Sequence, residues 1–382
     1  MKTIKPYGGF EQGPIRPPSE ANSLLLRISR NCPWNRCTFC GLYKDATFSL
    51  RPVDEVLQDI ETVRFYVDAI EAAQKTGNGV SELSKLSPAG GKSDLQAFHA
   101  ASSFVASGMK SIFIQDGNSL VIKPEDIIRI LQHLRDAFPT VERVTSYARS
   151  HTIARISDEN LSRMASAGLN RIHIGMESGS DKVLKLVKKG TDKATQIIAG
   201  QKVKRAGIQL SEYFMPGLGG RPLSRENALE SADAINQINP DYIRLRTLAL
   251  PPSAPLTAQF KDGAFDKMGE VETARELLLF LETLDGITST IRSDHVLNLF
   301  PEVDGVLPHD KEKMLQPVKD FLGLAPEEQM VFCIGRRTHR FSRFSDLNKP
   351  LQRDHVLKIC SELNATAANY DAITDSIMQR FI

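Results

Sequence analysis

From residue 22 to residue 250 the chain alternates short apolar runs with longer amphipathic stretches, and this alternation restricts the fold more than any other feature. The apolar runs are Asn22 to Ser29, Ser111 to Gln115, Val141 to Tyr147, Arg171 to Met176, Ile208 to Met215 and Tyr242 to Leu248. Helical patterns lie between them, over Pro52 to Lys75, Leu95 to Ala106, Pro124 to Phe138, Asp158 to Ala167, Lys182 to Val187, Lys193 to Ala206 and Arg225 to Ile238. A strand-then-helix unit repeated about six times argues for a parallel sheet covered by helices. The punctuation agrees. Pro52 is acceptable at a helix start with Asp54 and Glu55 beside the positive end, and Gly108, Gly168 and Gly207 each follow a helical pattern as C-caps.

Outside that span the pattern changes. Residues 1–21 carry Pro6, Pro14, Pro17 and Pro18 and read as an extended N-terminal arm. Gly77 to Ser93 is rich in Gly, Ser, Lys and Pro and reads as a surface connector of disorder-prone composition. After Pro251 and Pro252 the expected elements are a loop at Phe260 to Phe265, a helix at Val271 to Leu284, a strand at Ile287 to Asp294 and a polar turn at Pro301 to Pro308. Lys311 to Leu322 is a helix that Pro317 is expected to split or kink, and Asp346 to Cys360 is a mostly helical tail. The expected domains are the arm at 1–21, a core at 22–250 and a C-terminal accessory region at 251–382.

With 41% hydrophobic residues the chain can build a substantial core. Its 48 basic and 46 acidic residues leave a formal charge of +2, which gives no global pull toward nucleic acid and disfavours it as a partner. No apolar run marks a secretory signal or reaches membrane-spanning length, so the cytoplasm is expected and a membrane is not. Clustered thiols stay reduced and available to a metal in that compartment.

Such a cluster is present. The segment NCPWNRCTFCGLY, Asn31 to Tyr43, places Cys32, Cys37 and Cys40 within nine residues, in a chain with five cysteines. Soft thiolates at short spacing suit zinc or an iron–sulfur cluster. Three local thiolates on a four-iron cluster leave one iron open to a chelating cofactor. A structural zinc site needs a fourth ligand, for which Cys333, Cys360 and the eight histidines are available.

The cysteine loop, the alternating elements and the polar strand ends together resemble the radical S-adenosylmethionine (SAM) superfamily. The likeness is strongest to the group of oxygen-independent coproporphyrinogen oxidases, elongator proteins and methylthiotransferases, and it spans roughly residues 22 to 250. The resemblance implies a partial or complete parallel β/α barrel, one 4Fe-4S cluster on Cys32, Cys37 and Cys40, and SAM as cofactor. It also places Phe39 near the adenine, Asp116, Gly117 and Asn118 in the segment that binds the methionine amine, Glu177 toward the ribose and Met215 behind the adenine. Arg149 is a candidate partner of the SAM carboxylate. Two departures stand out. Four residues separate Cys32 from Cys37 where the family usually has three, and Asp116-Gly117-Asn118 replaces a Gly-Gly-Glu-like segment.

Candidates for catalysis are His151, His173, Asp294 and His295, each with a structural alternative: a satisfied core histidine for His173, a capped turn for the Asp294–His295 pair. Arg244 and Arg246 alternate on one strand face and read either as an anion site or as ion-pair partners. Arg336, Arg337, His339, Arg340 and Arg343 read first as a solvated basic loop, with a phosphate or RNA contact as the sharper alternative. Cys333 and Cys360 read as buried thiols, with radical quenching by Cys333 as the alternative.

The expected protein is therefore an enzyme that reductively cleaves SAM to start radical chemistry on a small-molecule substrate, fed by a low-potential electron donor such as flavodoxin or ferredoxin. An RNA-modifying radical SAM enzyme and a non-catalytic iron–sulfur or cofactor carrier are the alternatives.

Overall fold

The structure, a computed structural model, describes residues 7–76, 81–88 and 94–381. The beginning of the expected arm and two parts of the expected connector, 77–80 and 89–93, lie outside the described residues. Two compact units divide the chain. One comprises Met1–Pro33, Asp45–Ile174 and Lys202–Gln209; the other comprises Trp34–Lys44, Gly175–Gln201 and Leu210–Ile382.

Strands β1 (Leu24–Leu26), β4 (Ser111–Ile114), β5 (Arg143–Ala148) and β6 (Arg171–Glu177, whose end lies in the second unit) form the parallel sheet of the first unit, and β2 (Ser29–Arg30) pairs antiparallel with β3 (Ser49–Leu50). The register explains the mixed polarity of these strands. Phe113, Thr145 and Arg171 share one level, and Tyr147 and His173 share the next level of the same face. Ile114 and Ile172, with Ser146 between them, and the pair Ala148 and Ile174 fall on the other face. Helices α1 (Val53–Thr76), α2 (Leu95–Ala106), α3 (Pro124–Ala137), α4 (Ser150–Ile153) and α5 (Asp158–Ser166) belong to this unit. In α1 the buried Val56, Ile60, Val63, Val67 and Ile70 recur at helical spacing, the stripe that packs it against α2 and α3. Asp94 and Ser157 cap α2 and α5 by accepting from the amides of Ala97 and Asn160.

In the second unit β8 (Tyr242–Leu245) lies between β7 (Gln209–Phe214) and β9 (Thr290–Arg292), all parallel, and β10 (Gly305–Val306) runs antiparallel to β9. Its helices are α6 (Asp181–Leu186), α7 (Lys193–Arg205, whose end lies in the first unit), α8 (Gly220–Ile238), α9 (Pro255–Lys261), α10 (Glu270–Thr283), α11 (Lys311–Leu322), α12 (Pro326–Arg337), α13 (Pro350–Glu362) and α14 (Tyr370–Met378). One continuous apolar cluster runs from Phe214 and Ala232 through Phe280 and Phe321 to Phe332 and Tyr370. The class is α/β, parallel strands alternating with helices without a closed barrel, followed by a further helical region.

Several local expectations are corrected. Pro317 does not split its helix: α11 is continuous, because Met314, Leu315, Val318 and Phe321 bury one face and offset the missing hydrogen bond. Phe260 belongs to α9, which Pro255 starts at its first turn, rather than to a loop. The polar turn at 301–308 contains β10, and α12 and α14 occupy stretches with no expected element. No helix among the described residues is long and apolar enough to cross a membrane.

Candidate active site

The cysteine loop is held by backbone contacts rather than by regular structure. Asn31 and Asn35 both adopt left-handed backbone, which asparagine tolerates better than most residues. Within the second unit Thr38 is tied twice, its amide donating to the Val187 carbonyl at 3.0 Å and its carbonyl accepting from Leu256 at 2.8 Å. Trp34 donates its indole N–H to the Lys188 carbonyl at 2.8 Å. Cys32, Cys37 and Cys40 form no disulfide and are of intermediate exposure.

These residues fit an iron–sulfur group by their donor chemistry and by the space beside Cys32. A Cβ at Gly117 would stand 3.2 Å from the Cys32 Cβ and 3.4 Å from its Sγ, a tight approach to the cysteine that the glycine relieves. Among the described residues no three His, Cys, Asp or Glu side chains close round a single-ion centre. A cubane is wider than one ion, so its ligands need not converge as zinc ligands do.

Each unit carries a polar group near its own part of the cysteine segment. In the second unit Glu177 ends β6 with a left-handed backbone, φ 64°, a conformation costly for a residue with a Cβ and one that re-aims its side chain. Its Oε1 accepts from Lys189 Nζ at 3.1 Å, and its carbonyl accepts from the Met215 amide at 3.0 Å. A Cβ on Gly175 would lie 2.3 Å from that same Oε1, so the glycine makes room for the ion pair. Lys189 Nζ also sits 5.6 Å from the centroid of the Phe39 ring. Phe39 and Met215 each pack against the small apolar cluster that includes Val183, Val187 and Leu218. The structure thus brings Phe39, Glu177 and Met215 into one place and adds Lys189 to them. It also adds Glu212, whose carboxyl is wholly buried: burial, then the Glu177 charge, raise its pKa well above the carboxylate range against the pull of Lys189. Glu212 Oε2 has no hydrogen-bond partner among the described residues.

In the first unit the buried Asp116, also left-handed at φ 73°, accepts from Arg27 Nε at 2.6 Å. Asn118 spans outward to α4, donating to Thr152 Oγ1 at 2.8 Å and accepting from the Arg149 amide at 3.1 Å. That clamp fixes the start of α4, where Arg149 is the N-cap and His151 a half-exposed helical residue.

The other candidates sit elsewhere. His173 is fully buried, its Nε2 3.5 Å from Glu20 Oε1, with Tyr147 and Phe113 packed round its ring. Burial opposes ionisation of Glu20, but the His173 contact and the Arg143 charge bring its pKa down to about 2. Asp294 is gripped by Arg244 and by Arg246, the latter at 3.1 Å. The two strand arginines are therefore ion-paired, and Arg246 lies over Tyr213 with its guanidinium carbon 4.3 Å from the ring centroid. His295 is mostly buried; burial first, then the Arg246 charge, push its pKa down to about 4.

The reading of Arg336 and Arg337 as part of a solvated loop is corrected, whereas His339, Arg340 and Arg343 follow the helix as exposed residues, as expected. Arg336 and Arg337 end α12: Arg337 is buried against Glu270, with bonds of 2.6 and 2.7 Å, and Arg336 donates to the carbonyls of Leu299, Asn298 and Phe341. Cys333 is completely buried on the same helix, and burial pushes its thiol pKa well up.

Lys189 and Glu212 were not singled out from the sequence. Lys189 stands in a Lys-Lys-Gly run where composition cannot separate it from its exposed neighbour Lys188. Glu212 carried a usable signal, as an acidic residue inside the apolar run IQLSEYFM.

Residues 92–232 match the sequence profile of the Radical SAM superfamily. Among curated proteins the chain is similar to a tRNA uridine(34) acetyltransferase of Methanocaldococcus infernus, 22% identical over 296 residues that cover 74% of this chain and 53% of the relative. It is also similar to a tRNA-2-methylthio-N(6)-dimethylallyladenosine synthase of Hahella chejuensis, 25% identical over 64% of this chain and 47% of the relative. The chain spans about half the length of the curated relatives it matches. Among solved structures, coproporphyrinogen III oxidase of Escherichia coli superposes with a TM-score of 0.44 at 18% identity, covering 68% of this chain and 52% of that one. The expectation that disfavoured nucleic acid as a partner is corrected by these findings: the curated relatives are each named for a reaction on tRNA. A near-neutral total charge was the wrong guide, because it averages over the whole surface and says nothing of where cations gather.

Proposed function

We propose that this chain, which belongs to the radical SAM superfamily, is an enzyme that modifies a nucleoside of tRNA by radical chemistry. The observation that carries the reading is the Glu177–Lys189–Glu212 group beside Phe39, on the same unit as Cys37 and Cys40. Its RNA substrate is supported by the names of the curated relatives.

In this reading Cys32, Cys37 and Cys40 hold three irons of a 4Fe-4S cluster, in the reducing cytoplasm where their thiolates persist. When bound, the cluster and SAM would supply reductive one-electron cleavage chemistry, with the electron coming from an external low-potential donor. The chain's own residues then have binding and orienting tasks. Glu177 is aimed by its left-handed backbone and held by Lys189, so it presents its remaining lone pairs to hydroxyl groups. Glu212, whose pKa burial raises, has an unpartnered carboxyl oxygen among the described residues that can meet a polar group of a ligand. Phe39 and Met215 offer an apolar wall that excludes water from a flat ring system. On the first unit Asp116 and Arg27 fix the backbone beside Cys32, and Asn118 sets the position of Arg149.

Anaerobic reconstitution followed by assay of 5'-deoxyadenosine from SAM, with a strong reductant and with or without transcribed tRNA, tests the reading. Formation by the wild type and not by Cys37→Ala, with a rise on adding tRNA and a mass change in one nucleoside, is the expected result. A rise with small metabolites and none with tRNA returns the substrate to the small-molecule class.

A further inference from the structure

Beside the cysteine loop the second unit carries a cationic surface that the site chemistry does not use. Arg36, in the loop between Cys32 and Cys37, is exposed and lies over the Trp34 ring with its guanidinium carbon 5.2 Å from the centroid. Trp34 cannot drift. Its indole N–H is bonded to the Lys188 carbonyl, and a Cβ on Gly190, at φ +70°, would come within 2.2 Å of the ring. Lys188 adopts left-handed backbone at φ 52°, which turns the chain sharply after α6 and stands its side chain in solvent. Lys185, one turn earlier, is exposed as well, and the Lys188 amide donates to its carbonyl at 3.1 Å.

The neighbouring cations have acidic partners and these three do not. Lys182 pairs with Glu226 at 2.7 Å, Lys193 with Glu230 at 2.6 Å, and Lys189 with Glu177. Arg36, Lys185 and Lys188 make no ion pair among the described residues. Three cations without an ion pair among the described residues, in a chain of near-zero net charge, are a local concentration of field, and one of them stands over an aromatic ring. A guanidinium fixed in that way keeps its outer N–H edge oriented for a two-pronged contact with a phosphate. The Trp34 ring itself is covered by Arg36 on one side and hemmed by Gly190 on another, so it serves as a plinth and not as a base-stacking platform.

We propose that Arg36, Lys185 and Lys188 form a phosphate-backbone contact surface that seats the RNA substrate at the rim of the cysteine loop. This deepens the RNA-modification reading given above and rests on it. The contacts are sequence-independent and position the RNA, leaving the choice of base to the site.

Binding of a transcribed tRNA is measured by fluorescence anisotropy at several salt concentrations, with the cluster-loaded wild type, the triple variant Arg36→Ala/Lys185→Ala/Lys188→Gln, and Lys182→Ala as a paired-lysine comparison. Visible absorbance of the cluster and iron content are recorded for each. The expected result is an affinity loss of about tenfold or more for the triple variant, and a slope of log K against log salt shallower by about 2. Iron content and Lys182→Ala binding are expected to match the wild type. A double variant, Lys185→Ala/Lys188→Gln, leaves Arg36 on Trp34 and is expected to show an intermediate loss, so a folding defect in the triple variant does not decide the outcome. Wild-type affinity and slope in both variants overturn the surface while leaving the RNA reading intact. No salt-dependent tRNA binding by the wild type overturns both. Unchanged tRNA binding with slowed reduction of the cluster by an acidic flavodoxin also overturns the RNA assignment and gives the surface to an electron donor.

Discussion

Lys189 Nζ stands 3.1 Å from Glu177 Oε1, with only 11% and 12% of the two side chains exposed. The lysine also opposes the charge that Glu177 exerts on the buried Glu212. One cation therefore steadies two carboxyl groups. Replacing it with a neutral chain leaves those groups facing each other away from water. We expect Lys189→Met to weaken SAM binding at least tenfold and to lower unfolding stability by about 3 kcal/mol, while iron content is retained. Equilibrium dialysis with labelled SAM checks the first effect and urea unfolding the second. Unchanged SAM affinity would make the pair a structural one.

Glu276 gives a stability limb that falls with alkalinity. Burial raises its pKa from 4.5 to about 7, opposed by the hydrogen bonds from the Gly217 amide at 2.9 Å and Asn227 Nδ2 at 2.6 Å. The folded value lies above the unfolded one, so its contribution is fully present below pH 4.5 and is lost as pH rises through about 7. Glu276→Gln keeps an acceptor oxygen for both donors and cannot ionise. At pH 8 this variant should be more stable than the wild type, by up to about 3 kcal/mol. Urea midpoints at pH 5 and pH 8 provide the comparison, and a wild-type advantage at pH 8 would contradict the assignment.

His295 acts in the opposite direction. Its folded pKa of about 4 lies below the ordinary 6.5, so the folded state resists protonation that the unfolded chain accepts. Its contribution is present above pH 6.5 and is lost as pH falls toward about 4, a loss of roughly 3 kcal/mol at most. His295→Asn should flatten the acid side of the stability profile over that window. A profile as steep as that of the wild type would assign the acid limb to other groups.

The Arg337–Glu270 pair joins α12 to α10 with both side chains buried. Removing one charge leaves the other stranded, which costs about 3–5 kcal/mol. Glu270→Gln should therefore lower the unfolding midpoint sharply. The double change Arg337→Met/Glu270→Leu should recover much of the loss, because an apolar pair replaces two desolvation costs. A double variant no more stable than the single one would show that the pair also orders the backbone around it.

The sequence by itself determined the class of fold and the place of the cysteine loop. Period and punctuation are local properties: the stripe Val56, Ile60, Val63, Val67 marks α1 whatever it packs against, and three cysteines in nine residues are visible in one dimension. It also marked Phe39, Glu177 and Met215, which tertiary folding brings to one place although they come from three separate segments. Tertiary structure alone decided which charges are buried. Arg336 and Arg337 read as a basic run, yet one donates to three carbonyls and the other pairs with Glu270, 67 residues earlier. Lys188 and Lys189 are adjacent in sequence; one reaches solvent and the other Glu177, because a left-handed turn at Lys188 separates their directions. The pKa of Glu212 is raised only because folding strips its water and sets Glu177 nearby. Hydration and pairing are properties of what surrounds a charge in space, and neighbours along the chain record little of that.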